Sequence, residues 1–228
     1  MSKIGDLRGQ TIVFTGQPKS SEAFLEVARL GGKVEAFPLI RTQELTDQDD
    51  IFMSTLSSYD WLIFTSQNAV SAFNQKLNRH KVAADTLTCK IAAVGKNTAH
   101  ALEKIGFHVS FTPTTYSADE FVQQFSQVSN QSDCCLFLRG SLAKATIKAG
   151  LSQQVVEWTV YETLPDIDNA TRLSTYIVQH PNVFVAFASP SSVTIYAHEI
   201  AREIGWKQIK TAAIGHVTAA ALLHHGAP

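Results

Sequence analysis

Phe64-Thr-Ser-Gln-Asn-Ala-Val70, followed by Ile91-Ala-Ala-Val-Gly95 and Thr98-Ala-His-Ala-Leu102, returns later as Phe187-Ala-Ser-Pro-Ser-Ser-Val193, Thr211-Ala-Ala-Ile-Gly215 and Thr218-Ala-Ala-Ala-Leu222. Phe64 and Phe187 lie 123 positions apart, and Gly95 and Gly215 lie 120 apart. The copy reaches upstream: Ile12-Val-Phe-Thr-Gly16 answers Leu136-Phe-Leu-Arg-Gly140, and Val34-Glu35 answers Val156-Glu157. Solenoid repeats run about 20–50 residues, so a unit this long stands for a lobe. Two similar lobes are implied, and a pair of lobes suits a ligand held between them.

Outward from these segments, short apolar runs alternate with amphipathic stretches. Runs at 11–15, 61–65, 90–94, 107–111, 134–138, 155–160, 183–188 and 210–214 are mostly β-branched or aromatic and apolar on both faces. Such runs are strands covered on both sides by helices. Between them, Phe24, Val27 and Ala28 share a helical face, as do Ile51, Thr55, Leu56 and Tyr59, then Val70, Phe73 and Leu77, then Phe121, Val122, Phe125 and Val128. Ser117-Ala-Asp-Glu120 is a capping-box pattern that starts a helix at Ser117. Ser189-Pro190 places a cap ahead of a first-turn proline. Strand alternating with helix means an α/β fold, here two doubly wound parallel-sheet lobes.

Two layouts fit. Phe37-Pro38-Leu39-Ile40 and Val160-Tyr161-Glu162-Thr163-Leu164-Pro165 are strand-like runs with a proline at equivalent places in the two copies. If both are crossovers, near 38–40 and 160–166, lobe one is discontinuous (1–37 plus 167–228) and 41–163 form lobe two. The two crossovers would then make a two-stranded linker that permits closure. A cut near residue 115 is the alternative. The second copy stops soon after Gly226, whereas the first continues through Phe107-His-Val-Ser-Phe111 and the helix from Ser117, so lobe one is expected to lack a strand and a helix of its counterpart unless the native chain is longer.

The 228 residues suffice for two small cores, with 45% hydrophobic and 17% charged residues and a formal net charge of −1. No global basic field draws nucleic acid or an anionic membrane. The amino terminus has no apolar signal core, and no run approaches spanning length, which predicts a cytoplasmic protein. Cys89, Cys134 and Cys135 make no disulfide framework.

In open parallel sheets ligands sit outside the carboxyl ends of the strands. Each such end here carries small or hydroxyl residues: Thr65-Ser66-Gln67-Asn68, Gly95-Lys96-Asn97-Thr98, Gly140-Ser141, Ser189-Pro190-Ser191-Ser192 and Gly215-His216-Val217-Thr218. Glycine admits a ligand to the backbone, and amides at helix starts favour carboxylates or phosphates. One such turn alone is ordinary helix capping; five in register across two copies point to a ligand. Other chemistries fail on spacing. A phosphate loop ending at Gly95-Lys96 needs glycine at 90 and a hydroxyl residue at 97, where Lys90 and Asn97 stand. No G-x-G-x-x-G follows a strand, no G-x-S-x-G occurs, and His224-His225 and Cys134-Cys135 lack metal-ligand spacing, so no metal site is expected. Tyr161 in the second crossover is either a packed linker residue or a group facing the ligand. A phenol, with a reference pKa of about 10, donates a proton or hydrogen bond at neutral pH and is a poor base.

Together these segments resemble the uroporphyrinogen-III synthase (HemD) family: F-T-S-x-N-A-V at 64–70, A-V-G-x-x-T-A at 93–99, Leu138-Arg139-Gly140, Val160-Tyr161, F-x-S-P-S-S-V at 187–193 and A-I-G-x-x-T-A at 213–219. The likeness covers nearly the whole chain and rests on the order and duplication of the motifs. It implies two doubly wound lobes joined by a two-stranded linker, in agreement with the discontinuous layout. It also implies a cofactor-free lyase acting on the linear tetrapyrrole hydroxymethylbilane. The terminal hydroxyl leaves as water, an azafulvene forms on ring A, and ring D attacks through its substituted carbon, so that a spiro intermediate recloses with ring D inverted. The substrate also cyclises unaided to the uninverted isomer, so positioning governs the outcome.

By the same resemblance Tyr161 assists departure of the hydroxyl. Thr65, Ser66, Asn68, Gly95, Thr98, Ser189, Ser191, Gly215 and Thr218 bind carboxylates, with Arg139 and Lys210 as charge partners, and the protein is a monomer. Family members often carry an Arg-Pro turn after the first strand, where this chain has Thr15-Gly16-Gln17-Pro18. The rival reading is a non-enzymatic two-lobed protein that clamps a small anion, since fold alone does not fix function.

Overall fold

Short β-branched and aromatic runs become strands and the amphipathic stretches between them become helices in the computed structural model, which describes residues 6–16, 22–181 and 183–227. In chain order these are β1 (Thr11–Phe14), α1 (Glu22–Arg29), β2 (Lys33–Ala36), β3 (Ile40–Glu44), α2 (Asp49–Thr55), β4 (Trp61–Phe64), α3 (Gln67–His80), β5 (Lys90–Ala93), α4 (Lys96–Lys104), β6 (Val109–Phe111) and α5 (Ala118–Phe125). There follow β7 (Cys134–Gly140), α6 (Thr146–Gly150), β8 (Gln154–Pro165), α7 (Ile167–Gln179), β9 (Val183–Phe187), α8 (Pro190–Ile195), α9 (Ala201–Ile204), β10 (Ile209–Ala213) and α10 (His216–His224). One π-helical turn, Tyr196–Ile200, links α8 to α9.

The chain divides into two compact units: unit one is Met1–Arg41 with Leu164–Pro228, and unit two is Thr42–Thr163. Residue 115 lies inside unit two, and both breaks fall within strands, β3 and β8. Unit one holds the sheet β10-β9-β1-β2, its neighbours all parallel. The second sheet runs β3-β8-β7-β4-β5-β6, parallel from β8 to β6. The fold is therefore α/β with two mostly parallel sheets. Each sheet takes half of each sequence copy: β1 and β2 of the first copy join β9 and β10 of the second, while β7 and β8 of the second join β4, β5 and β6 of the first.

Packing explains the apolar strands. Along β4, Leu62 and Phe64 enter one core cluster with Leu136, Leu138 and Trp158, while Trp61 and Ile63 enter another with Cys135, Phe137, Phe121 and Phe125. The alternation puts successive side chains on opposite faces, both dry. In unit one Val13, Val185, Phe187, Leu173 and Tyr196 form one cluster, while Lys210 and Ala212 of β10 are exposed. Ser66, Ser117, Asp166 and Ser189 cap α3, α5, α7 and α8 with their side chains.

Some expectations fail for local reasons. The strands β2 and β3 are polar edges, Lys-Val-Glu-Ala and Ile-Arg-Thr-Gln-Glu, with no buried residue and no continuous apolar run of the kind used to pick strands. The first crossover strand accordingly covers Ile40–Glu44 rather than 37–40. Ile51, placed on the buried face of α2, is 65% exposed, because the spacing of Met53 and Leu56 carries the face that packs. Val128 is exposed because α5 ends at Phe125. At Ser117 only half of the expected box forms: its hydroxyl accepts from Glu120 N–H, while the Glu120 carboxylate turns to Gln124. Gln17 and Pro18 of the first turn lie outside the described residues.

Candidate active site

Doubly wound sheets place ligands where the strand order reverses. In unit one the reversal lies between β1 and β9, in unit two between β7 and β4. The rim of unit one carries Thr15 and Gly16 after β1, Ser189 and Ser191 after β9, and Gly215 and Thr218 after β10. That of unit two carries Gly140 and Ser141 after β7, Thr65, Ser66 and Asn68 after β4, and Gly95 and Thr98 after β5. Of the residues expected to bind, all but Arg139 and Lys210 thus follow or precede the turns of these two rims, or, for Tyr161, stand beside one.

Tyr161 stands at the reversal in unit two, half-buried, and three contacts define it. Its hydroxyl lies 3.1 Å from Ser66 Oγ, either being able to donate. Its carbonyl accepts from Ser141 N–H at 3.0 Å. Its ring lies across Gly140, where an added Cβ would come within 2.4 Å of the ring carbon Cζ. Gly140 is thus required by a close approach: any side chain there would push the phenol off the strand end. Ser66 in turn accepts from Ala69 N–H at 3.1 Å, so the phenol connects through one hydroxyl to the start of a 14-residue helix.

Tyr161 borders a polar cleft of about 200 Å³ with Thr42, Glu44, Asn68, Ser71 and Gln75. Thr65 opens instead on a second hollow of about 330 Å³, with Ala118, Asp119, Lys144 and Thr146. Lys144, Thr146, Thr42, Ser71 and Gln75 were not read from the sequence. Lys144 and Thr146 follow the Gly140 turn closely enough that its position was a usable signal, whereas Thr42 sits in the polar strand that was missed.

Behind the cleft lies an ion-pair cluster. Lys76 is fully buried, its Nζ 2.6 Å from Asp49 and 3.0 Å from Glu44, with Leu45 O as a third acceptor. Arg79 reaches the same two carboxylates at 2.6 and 2.7 Å. Burial works against the Glu44 carboxylate, but hydrogen bonds from Arg79 and Lys76 overcome it and hold its pKa below the ordinary value. The cluster ties the end of β3 to α2 and α3.

The remaining predicted residues fall in different places. Thr98 and Thr218 are buried, at 5% and 3% exposure, inside the first turns of α4 and α10, whose caps are Gly95 and Gly215. Gly215 has φ of 91°, a conformation that favours glycine. Ser189 closes a full capping box with Ser192. Arg139 is already engaged, pairing with Glu157 and bonding to the carbonyls of Gly140 and Ala143. Lys210 is the second residue of β10, before the carboxyl end, with Nζ 4.8 Å from the Phe184 ring centre; the structure does not bring it to the rim. The three cysteines are unpaired, and burial pushes the Cys135 thiol up to about 12. Among the described residues no group of His, Cys, Asp or Glu is arranged to hold a metal ion, and no helix is long and apolar enough to cross a membrane.

Residues 22–228 match the family model described as uroporphyrinogen-III synthase HemD. The chain belongs to the uroporphyrinogen-III synthase family. The activity of that family is a hydro-lyase step of tetrapyrrole biosynthesis, with hydroxymethylbilane as the implied substrate. A uroporphyrinogen-III synthase from Chlorobaculum parvum is 27% identical over 93% of this chain and 88% of its own length. The crystal structure of uroporphyrinogen-III synthetase from Helicobacter pylori aligns with TM-score 0.68 at 18% identity, covering 96% of this chain and 90% of that one. A mutant uroporphyrinogen III synthase from Thermus thermophilus aligns with TM-score 0.65 at 17% identity, covering 96% and 90%. At such identities these two structures speak for the fold alone.

Proposed function

We propose that this synthase uses Tyr161 as the proton donor to the departing hydroxyl of hydroxymethylbilane and the hydroxyl- and amide-bearing rims to hold the substrate's carboxylates. The observation that carries the reading is the phenol fixed at the strand-order reversal of unit two by Ser66, Ser141 and Gly140. As the carbon–oxygen bond breaks, its electron pair stays on oxygen, which takes the phenol proton and leaves as water. The pyrrole nitrogen lone pair fills the vacancy and gives the azafulvenium. Ring D attacks that electrophile through its substituted carbon. The bond from the resulting spiro carbon to the bridging carbon of ring C breaks, and the bridging carbon bonds instead to the free α-carbon of ring D. The hydrogen this α-carbon loses returns as a proton to the phenolate, so the phenol is restored and one water is released overall. Carboxylate binders are Thr65, Ser66, Asn68, Gly95, Thr98, Ser189, Ser191, Gly215 and Thr218, acting by hydroxyls and by free amides at helix starts. Such a grip suits a protein of net charge −1, because the anion is met by local dipoles rather than by a basic surface.

Arg139 and Lys210 take a lesser part in this reading, Arg139 because Glu157 already neutralises it and Lys210 because of its place in β10. The protein is proposed to work as a monomer in the cytoplasm. The test is incubation with freshly made hydroxymethylbilane and separation of the uroporphyrinogen isomers after oxidation. Isomer III formed faster than the unaided reaction is expected. Isomer I alone, at the unaided rate, supports a non-enzymatic anion binder instead.

A further inference from the structure

The two serines that cap the helices at the strand-order reversals are matched in the repeat, Ser66 with Ser189, yet their hydroxyls are used differently. In unit one the third residue of α8 is Ser192. Ser189 Oγ accepts from Ser192 N–H at 3.2 Å, Ser192 Oγ takes the Ser189 N–H at 3.3 Å, and the two hydroxyls lie 3.4 Å apart. The box is closed on itself. In unit two the matching third residue is Ala69, which keeps the amide and loses the hydroxyl. Ser66 therefore has an oxygen satisfied by Ala69 N–H and a hydrogen that no reciprocal partner in its own helix claims. Among the described residues the side-chain hydroxyl within reach is that of Tyr161.

We infer that Ser66 is a positioning residue for Tyr161: it donates its hydroxyl hydrogen to the phenol oxygen, leaving the phenol proton aimed at the substrate. As that proton moves to the leaving hydroxyl, negative charge grows on the phenol oxygen. The Ser66 hydrogen bond then becomes charge-assisted, polarised by the helix start behind it. A bond that strengthens only as charge develops lowers the barrier without tightening substrate binding. The absence of a hydroxyl at residue 69 is part of the device, because a serine there would compete for Ser66 as Ser192 does for Ser189. The inference rests on the reading of Tyr161 as proton donor, and for Ser66 it replaces carboxylate binding by the hydroxyl with this positioning role.

Ser66→Gly removes the hydroxyl with little risk to the helix, since glycine is a tolerated cap and already caps α4 and α10. With hydroxymethylbilane as substrate, the expected result is a fall in kcat of about tenfold, with KM within about twofold of the parent and an unchanged melting temperature. Ser66→Thr should restore most of kcat. Ala69→Ser should lower kcat while leaving thermal stability equal or higher, the opposite of what a purely structural cap predicts. In a Tyr161→Phe background, Ser66→Gly should cost nothing further. A raised KM at unchanged kcat would return Ser66 to carboxylate binding and overturn the inference. So would an equal loss with and without Tyr161. Slow Tyr161→Phe beside a fully active Ser66→Gly would sink the Ser66 role alone; full activity in Tyr161→Phe would sink the proton-donor reading itself.

Discussion

Unit one and unit two raise similar rims from the same duplicated sequence, but one matched place differs sharply. Ala36 and Trp158 pair with Phe14 and Leu138 at matched places in the two sheets, and three residues on stand Leu39 in unit one and Tyr161 in unit two. Leu39 is fully buried in the core, its amide bonded to Thr15 O. Tyr161 is half-buried with its hydroxyl on Ser66. The glycines ahead of them are also matched, and both stand where a Cβ would collide: Gly140 with the Tyr161 ring, Gly16 with Ala188 Cβ at 2.6 Å. Duplication therefore gives two like rims, and at this matched position one unit has a buried leucine and the other a tyrosine whose hydroxyl meets Ser66.

The largest expected effect is on stability and confined to unit two. Lys76→Met removes the buried cation from Asp49 and Glu44 and should cost about 3–5 kcal/mol, as breaking a buried pair does. Breaking the exposed Arg29–Glu26 pair of unit one should leave the denaturation midpoint where it was. Equal losses would mean that the buried cluster does not set unit two's stability. Next comes Gly140→Ala, which should displace the phenol and lower kcat about tenfold, with an overpacking cost of about 1–3 kcal/mol. Gly16→Ala should show a similar stability loss without the same fall in kcat. If the two alanines behave alike in turnover, the contrast between the units is lost.

Acid should also separate the units. Asn130 N–H holds the Asp133 pKa down, while for Glu44 and Glu157 hydrogen bonds from cations outweigh burial and lower theirs too. A depressed folded pKa gives stability that is present above the ordinary value, 3.8 for Asp133 and 4.5 for the glutamates, and lost as pH falls through the lowered folded value. All three groups belong to unit two. The lowered carboxylates described in unit one, Asp6 and Glu26, are exposed and add little. In single-tryptophan variants, emission from Trp158 of unit two should therefore respond to acid at higher pH than emission from Trp206 of unit one. The reverse order would contradict this account. The smallest effect is expected for Lys210→Ala, which leaves the rim untouched. Turnover should change by less than about twofold, the cation–π contact with Phe184 being worth about 0.5–1 kcal/mol at an exposed site.

Much of this was legible in the sequence because burial writes itself into composition. Strands such as Trp61–Phe64 and Cys134–Gly140 are apolar on both faces since helices cover both. The rims were legible because helix starts need hydroxyls or glycine, and Ser66, Gly95, Ser189 and Gly215 are indeed caps. Polar edge strands were not legible: Lys33–Ala36 and Ile40–Glu44 each have one neighbour in their sheet and carry no dry face. Nor could the sequence show that Arg139 spends its charge on Glu157, eighteen positions away across a strand pair, or that Lys76 is buried. Those facts depend on which strands become neighbours, and each sheet mixes both copies.

The most direct test is the single-turnover rate of hydroxymethylbilane cyclisation by Tyr161→Phe beside Ser189→Ala, with the isomers resolved after oxidation. Tyr161→Phe should still give isomer III but on the order of 10²-fold more slowly, while Ser189→Ala should weaken substrate binding and leave the chemical step near the parent rate. A Tyr161→Phe enzyme that cyclises as fast as the parent would contradict the account, since the contrast between Leu39 and Tyr161 would then have no part in the chemistry.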